Sequence, residues 1–260
     1  MRMKKLISWN VNGIRAMCEK KGFLDWLFTE EPDILCLQET KAKEEQLSDS
    51  LLNPSNNTTS YKTYWSSSKR AGYSGVAIFS KEECKNVSFM DIKEIDDEGR
   101  VLIAEYDTYF VISAYFPNSQ EGGARLPYKL FFCQKMLELC NSLSKKKNII
   151  LLGDYNIAHK PIDLANPQAN EGNPGYFIEE REWMDSFIQE GYIDTFRHFC
   201  KLPNMYTWWS YRYRAREKNI GWRLDYASVN KDFISHVASS TIMSDVKGSD
   251  HCPIKIEVDV

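Results

Sequence analysis

The sequence predicts an α+β protein in which stacked β-sheets are covered by outer helices. Two observations carry that expectation. Short runs of β-branched and aromatic residues, and longer segments with helical apolar spacing, occur in both halves of the 260-residue chain. No low-complexity linker or internal repeat separates them, and 43% hydrophobic residues are enough for a sizeable core. Elements interleaved in this way pack most simply as layers of one domain.

The elements follow in order. Leu6–Val11 is a first strand, left through Asn10, Asn12 and Gly13. Ile14–Phe28 is predicted as a helix, with Leu24, Leu27 and Phe28 on one face, and Pro32 stops it. Asp33–Leu37 is a second strand that delivers Gln38 and Glu39, and a short polar helix around Lys43–Leu51 leads into a loop over 53–60. From Tyr61 to Tyr115 the runs YKTYWSS, GVAIFS, NVSFM, RVLIAEY and YFVISAYF, parted by turn signals, predict an antiparallel meander. Leu126–Leu143 resumes helical spacing. Ile149–Leu152 does not alternate and reads as a strand buried on both faces. Gly153 is expected to let the backbone turn there, so that Asp154 emerges at a sheet rim. Ala158–Gly175 is too long a connection to lack a function. Ile178–Gln189 is a helix stopped by Gly191, and Tyr206–Trp209, Trp222–Val229 and Pro253–Val258 are the last strands.

The formal charge of −3 gives no hint of nucleic acid, so an anionic partner requires a local basic surface. Seven cysteines without a CxxC pair, and without zinc spacing to the four histidines, suggest a reducing compartment. The basic start MRMKKL is followed by an apolar run that fails at Asn10, far short of a secretion signal. No apolar stretch approaches membrane-spanning length. A soluble, intracellular protein is expected, cytoplasmic if prokaryotic.

Chemistry enters at the strand ends. ISWNVN presents Asn10 and Asn12, LCLQE presents Glu39, and AYFPN presents Tyr115 and Asn118. LLGDYN presents Asp154 and Asn156, WRLD presents Asp225, and GSDH presents Asp250 and His251. One polar strand end is usually a cap or a turn; this repeated set reads as one converging rim. Carboxylates and amides suit a hard cation, Mg²⁺ or Mn²⁺, held through oxygen. A histidine with a carboxylate partner supplies a positioned proton donor or acceptor. No GxSxG nucleophile elbow and no phosphate loop with a lysine is present. Metal-assisted phosphodiester hydrolysis fits this inventory best.

The blocks SWNVNGIRA, LCLQETK, GYSGVAIFS, AYFPN, LLGDYNIAHKPIDLANP, NIGWRLDY and GSDHCPI, in this order, resemble the exonuclease III family of abasic-site endonucleases. The resemblance implies a four-layer α/β sandwich of the DNase I-like type, as a single catalytic domain over residues 1–260. It implies Mg²⁺-dependent cleavage 5′ to an abasic site, leaving a 3′-hydroxyl, with Mn²⁺ able to substitute. It also implies 3′→5′ exonuclease and 3′-phosphatase or phosphodiesterase activities, on a monomer whose partner is duplex DNA with abasic sites or blocked 3′ ends.

Residue by residue, the resemblance makes Glu39 the principal metal carboxylate with Asn10 beside it. Asp154 activates or orients the attacking water and Asn156 positions it, both within reach of the metal. Asp225 holds His251 against the scissile phosphate, and Asp250 lies on the metal and leaving-group side, with His251 also within reach of the metal. Tyr115, Asn118, Asn170 and Asn173 match phosphate-contacting positions. Trp208, Trp222 and Leu224 form an apolar pocket for the base-free sugar, and Arg212 sits on a loop entering the minor groove.

Two positions depart from the family pattern. Asn12 stands where some relatives carry Asp, and Gln120-Glu121 stands where animal enzymes carry an inserting arginine. The window Tyr206–Arg223, with Arg212, Arg214, Arg216, Lys218 and Arg223 against Glu217 alone, reads as the DNA surface, its tryptophans available for stacking. His159, His198 and His236 read as structural or exposed. The same sandwich serves sphingomyelinases and inositol-phosphate phosphatases, which the GWRLDY block and the Trp/Arg loop argue against. An inactive DNA-binding module would have no need of Glu39, Asp154, Asn156, Asp225 and His251.

Overall fold

The computed structural model describes residues 2–260, and for Lys20 and Lys21 the backbone. The chain opens with β1 (Met3–Asn10), α1 (Ile14–Lys21), α2 (Phe23–Glu30), β2 (Ile34–Gln38) and α3 (Asp49–Leu52). Strands β3 (Lys62–Ser66), β4 (Val76–Ser80) and β5 (Asn86–Ser88) follow, then α4 (Lys93–Asp96), β6 (Val101–Glu105) and β7 (Tyr109–Tyr115). Next come α5 (Leu126–Leu143), β8 (Asn148–Asp154), α6 (Ile178–Gln189), β9 (Tyr192–Asp194) and α7 (Thr195–Phe199). The chain closes with β10 (Asp225–Asn230), β11 (Val237–Ile242) and β12 (Ile254–Asp259). Among the described residues no helix is long and apolar enough to cross a membrane.

The strands form two six-stranded sheets, ordered β11-β12-β1-β2-β4-β3 and β5-β6-β7-β8-β10-β9. Each is mixed: β1 runs parallel to β2 and β7 parallel to β8, while the remaining pairs are antiparallel. Helices α1 and α2 cover the first sheet, with Ile14, Met17, Phe23 and Leu27 packed on Ile7, Trp9, Leu35 and Phe79. Helices α5 and α6 cover the second, through Phe132, Met136, Trp183 and Met184 on Ile112, Ile149 and Leu151. Between the sheets lie Leu6, Ile34, Ile78, Val111, Ile150, Leu152 and Ile256. This is the expected four-layer sandwich.

Several local expectations are corrected. The helix expected over Ile14–Phe28 is two helices, because Gly22 adopts φ 64° and ends the first in a left-handed cap. The polar helix around Lys43–Leu51 is a 3₁₀ turn at Glu44–Gln46 followed by α3. The meander over Tyr61–Tyr115 is divided: β3 and β4 join the first sheet, β5 to β7 the second. Tyr206–Trp209 makes isolated bridges, Trp208 with Trp222 and with His251, rather than a strand, and β10 starts only at Asp225. Strands β9 and β11 have no signal in the sequence pattern; β11 exposes Ala238, buries Ser240 and shifts register between Val237 and Ser239, which hides its period. Gly153 does not turn the chain. It lies within β8 opposite Ala114, where an added Cβ would stand 1.9 Å from the Ala114 carbonyl oxygen, so close strand approach is what requires glycine.

The space between the sheets changes character toward one end. Side chains of one face recur every second residue. On β1 the inward row runs Leu6, Ser8, Asn10, and on β2 it runs Cys36, Gln38. On β7 it runs Val111, Ser113, Tyr115, and on β8 Ile150, Leu152, Asp154. Ser8 Oγ donates to Gln38 Oε1 at 3.2 Å and Gln38 Nε2 to Ser113 Oγ at 3.3 Å, a polar layer that crosses from sheet to sheet. Beyond it the two sheets meet at Asn10 and Asp154.

Candidate active site

At that polar end a cavity of about 390 Å³ is lined by Asn12, Glu39, Lys41, Tyr115, Asn118, Asp154, Asn156, Pro174, Gly175, Trp208, Trp222, Leu224, Asp250 and His251. The polar strand ends therefore converge on one site. It is polar on one side and bounded by Trp208, Trp222 and Leu224 on the other.

Asp154 ends β8 and faces Asp225, the first residue of β10, across the ladder. His251 lies against both: its Nδ1 is 2.8 Å from Asp225 Oδ2 and its Nε2 is 3.8 Å from Asp154 Oδ2. Burial pushes the Asp154 carboxyl well above its ordinary range, and Asp225 adds to that push against the opposing pull of His251. Burial works the other way on His251, yet Asp225 and Asp154 together raise it above the ordinary 6.5. The three side chains form one buried cluster. They bring one ligand atom each to within 4.8 Å of one another and could hold a metal ion.

Asn10 bridges the two sheets' carboxylates. Its Nδ2 donates to Asp154 Oδ2 at 2.9 Å and to Glu39 Oε2 at 3.1 Å, while its Oδ1 accepts the Asn12 amide. Asn156 adopts φ 52°, which turns its Nδ2 back to Asp154 Oδ2 (3.2 Å) and the Phe116 carbonyl (3.1 Å). Its Oδ1 accepts Nδ2 of Asn118 at 3.2 Å. Tyr115 stays a neutral phenol, since burial, Glu39 and Asp154 all disfavour its anion.

Asp250 is heavily engaged. Oδ1 accepts from Asn12 Nδ2 (2.9 Å) and Ser249 Oγ (3.1 Å), and Oδ2 from Trp208 Nε1 (3.0 Å). Burial would raise its carboxyl, but His251 and these hydrogen bonds hold it below the usual range. The indole of Trp208 thus ties the apolar wall to the carboxylate side of the cavity.

Other expected residues stand apart from the cavity lining. Asn170 donates to the carbonyls of Ala165 and Asn166, and Asn173 to Asn170, so both serve the loop's own turns. Arg212 is exposed on its loop between the exposed Tyr211 and Tyr213. The basic window is thinner than its sequence implies. Arg223 is fully buried, bonded to Asp163 Oδ1 (2.8 Å) and Asp194 Oδ2 (2.7 Å), and cannot reach DNA. Arg216 donates to the carbonyls of Ser244, Val246 and Ser249, and Arg214 pairs with Glu217. Trp209 is buried. His159 has a partner distant in sequence, Asp185 at 2.7 Å.

Lys41 closes the LCLQETK block, and sequence alone gives it no role. In the site its Nζ lies 2.9 Å from Glu39 Oε1 and bonds Asn12 Oδ1 at 2.5 Å. A lysine two residues after a carboxylate at a strand end is the signal that could have found it.

Comparison with known proteins extends along nearly the whole chain. Residues 7–251 match the model of the Endonuclease/Exonuclease/phosphatase family. The chain is 43% identical over 258 residues to the exodeoxyribonuclease of Bacillus subtilis, a match that covers 98% of this chain and 100% of that protein. It is 41% identical over 258 residues to the DNA repair nuclease APEX1 of Danio rerio, over 97% of this chain and 81% of that protein. The crystal structure of AP endonuclease LMAP from Leishmania major matches it with a TM-score of 0.88 at 28% identity, over 100% of this chain and 88% of that one. With its sandwich, its single convergent rim and these matches together, the chain belongs to the Endonuclease/Exonuclease/phosphatase family.

Proposed function

We propose that this protein is a DNA repair nuclease that hydrolyses the phosphodiester 5′ to an abasic site in duplex DNA and leaves a 3′-hydroxyl. The same site would trim blocked 3′ ends through 3′→5′ exonuclease and 3′-phosphatase or phosphodiesterase activity, with residues 1–260 acting as one catalytic domain. One observation carries the reading: Asp154 and His251 share their cavity with an apolar wall of Trp208, Trp222 and Leu224. Such a wall accepts a base-free sugar, and extrusion costs least where no base is stacked.

The donor set fits a hard divalent cation, Mg²⁺ by preference, with Mn²⁺ as substitute. Glu39 would hold it, with Asn10 and Asp154 adjacent. When bound it supplies Lewis-acid polarisation of the phosphoryl oxygen and charge for the departing oxyanion.

The chain's own residues do the rest. Asp154, which lines the cavity with its Oδ2 held by Asn10 and Asn156, is placed to take the proton of an attacking water. Asn156 orients that water. Asp225 and Asp154 favour the imidazolium form of His251, so with Nδ1–H donating to Asp225 its Nε2–H can donate to a phosphate oxygen. Tyr115 and Asn118 add neutral donors to the same phosphate. Arg212 on its exposed loop adds a phosphate or groove contact.

The test is nicking of a duplex with one abasic site, with Mg²⁺ and with EDTA. Cleavage with Mg²⁺ alone, and retained binding without cleavage by Asp154→Asn, are the expected results. Hydrolysis of a phospholipid or inositol phosphate with no nicking of DNA would overturn the reading.

A further inference from the structure

Behind the cavity lies a buried ion pair that the proposed chemistry does not use. Lys129 on α5 and Glu180 on α6 are both fully inaccessible, with Nζ 2.8 Å from Oε1. On their helices they lie one turn from the buried Phe132 and Cys133 and from Trp183 and Met184. Two charges taken out of water cost more than their mutual attraction returns unless other bonds complete them, so such a pair is weak evidence for stability by itself. What distinguishes this pair is where the completing bonds go.

Nζ of Lys129 donates to the backbone carbonyl of Asn156 at 2.5 Å. That carbonyl belongs to a residue with φ 52°, a conformation disfavoured for a side chain other than glycine. It is hemmed in by Gly175, where an added Cβ would stand 3.1 Å from the same oxygen. Oε1 of Glu180 accepts from Ser119 Oγ at 2.5 Å, the residue that follows Asn118. Oε2 accepts from the amide of Phe177, just beyond the Pro174-Gly175 rim. The bonds of the pair therefore end on the three segments that present Asn156, Asn118 and the rim to the cavity.

We infer that Lys129 and Glu180 are positioning residues for the two cavity-facing amides, Asn156 and Asn118. The ammonium holds Asn156 in its left-handed backbone, and the carboxylate holds the loop that carries Asn118. The 3.2 Å hydrogen bond between the two amides then fixes the water-orienting Asn156 against the phosphate-donating Asn118. Pre-set donors avoid reorganisation during reaction. The inference rests on the phosphodiester-cleaving role proposed above.

The test uses the full chain. In Lys129→Met/Glu180→Gln both charges vanish together, and the amide of Gln retains an acceptor for Phe177, so neither partner is left as a buried lone charge. The expected result is an unfolding midpoint close to wild type, KM little changed, and kcat lowered by about 100-fold, the loss typical of a displaced catalytic group. Lys129→Arg, which keeps the charge and the donor, should restore most of kcat. The side-chain amide resonances of Asn156 and Asn118, observed by NMR without substrate, should shift in the double variant and return in Lys129→Arg. Wild-type kcat with unmoved resonances in the double variant overturns the inference, as does a loss of kcat that only follows the loss of folded protein. Should the wild-type chain fail to nick an abasic duplex, the functional reading falls, and the amide resonances still decide the positioning role.

Discussion

Asp225 Oδ2 lies 2.8 Å from His251 Nδ1, and this one hydrogen bond determines which ring nitrogen faces the cavity. Asp225 is also the ladder partner of Asp154, so the same residue orients the imidazole and raises the carboxyl opposite it. Asp225→Asn keeps the shape but offers an amide that can favour the wrong tautomer. It should lower kcat by roughly 10³–10⁴-fold with binding of abasic duplex retained, the magnitude seen when a catalytic histidine loses its carboxylate. Near wild-type turnover would show that His251 does not depend on Asp225.

Arg212 and Arg223 are close in sequence and opposite in environment. Arg212 is exposed, and Arg212→Ala should leave the melting temperature unchanged while weakening DNA binding. The slope of log affinity against log salt should become shallower by about 1, the change that follows when one phosphate is no longer neutralised by the protein. An unchanged salt slope would remove Arg212 from the interface.

Arg223 joins Asp163 and Asp194 in the interior behind the cavity wall, with Arg197 Nη2 also 2.8 Å from Asp163. Arg223→Met leaves Asp194 Oδ2 without its charged partner and leaves Asp163 with Arg197 alone. A destabilisation of roughly 3–5 kcal/mol by chemical denaturation is expected, the size found when one partner of a buried pair is removed. A destabilisation below about 1 kcal/mol would mean that water reaches the site when the guanidinium is gone.

His159 is a buried imidazole whose ordinary pKa of 6.5 is lowered by desolvation, with Asp185 only partly opposing. The folded chain therefore binds this proton more weakly than the unfolded chain. The contribution of His159 to stability is complete above 6.5 and is lost as pH falls below it. In EDTA, the melting-temperature advantage of wild type over His159→Gln should shrink from about pH 8 to about pH 5. An advantage that stays constant or grows toward acid contradicts the assignment.

The layers and the polar strand ends are legible in the sequence because they rest on local rules. The unbroken apolar run of β8 requires two covered faces, and helix α6 matches its expected span and stop at Gly191. Asn10, Glu39, Tyr115, Asp154, Asp225 and His251 stand out as polar residues at the tips of apolar strands. The departures also have physical sources. Gly22 breaks a helix whose apolar spacing continues across it, and one antiparallel pattern serves two sheets because pairing partners are not encoded in spacing.

Sequence alone thus determined the layered architecture and the chemical character of its rim, since both follow from periodicity and from residue type at element ends. Only the tertiary structure decided which charges face solvent. Arg212 and Arg223 carry the same guanidinium, and neighbouring residues give no hint that Asp163 and Asp194 take one of them inside. It likewise decided that Lys129 and Glu180 lie behind the cavity, bonded to each other, and that Trp208 is bonded to Asp250. The free energy of a charged or polar group depends on its desolvation and its partners, and both are fixed by residues distant in the chain.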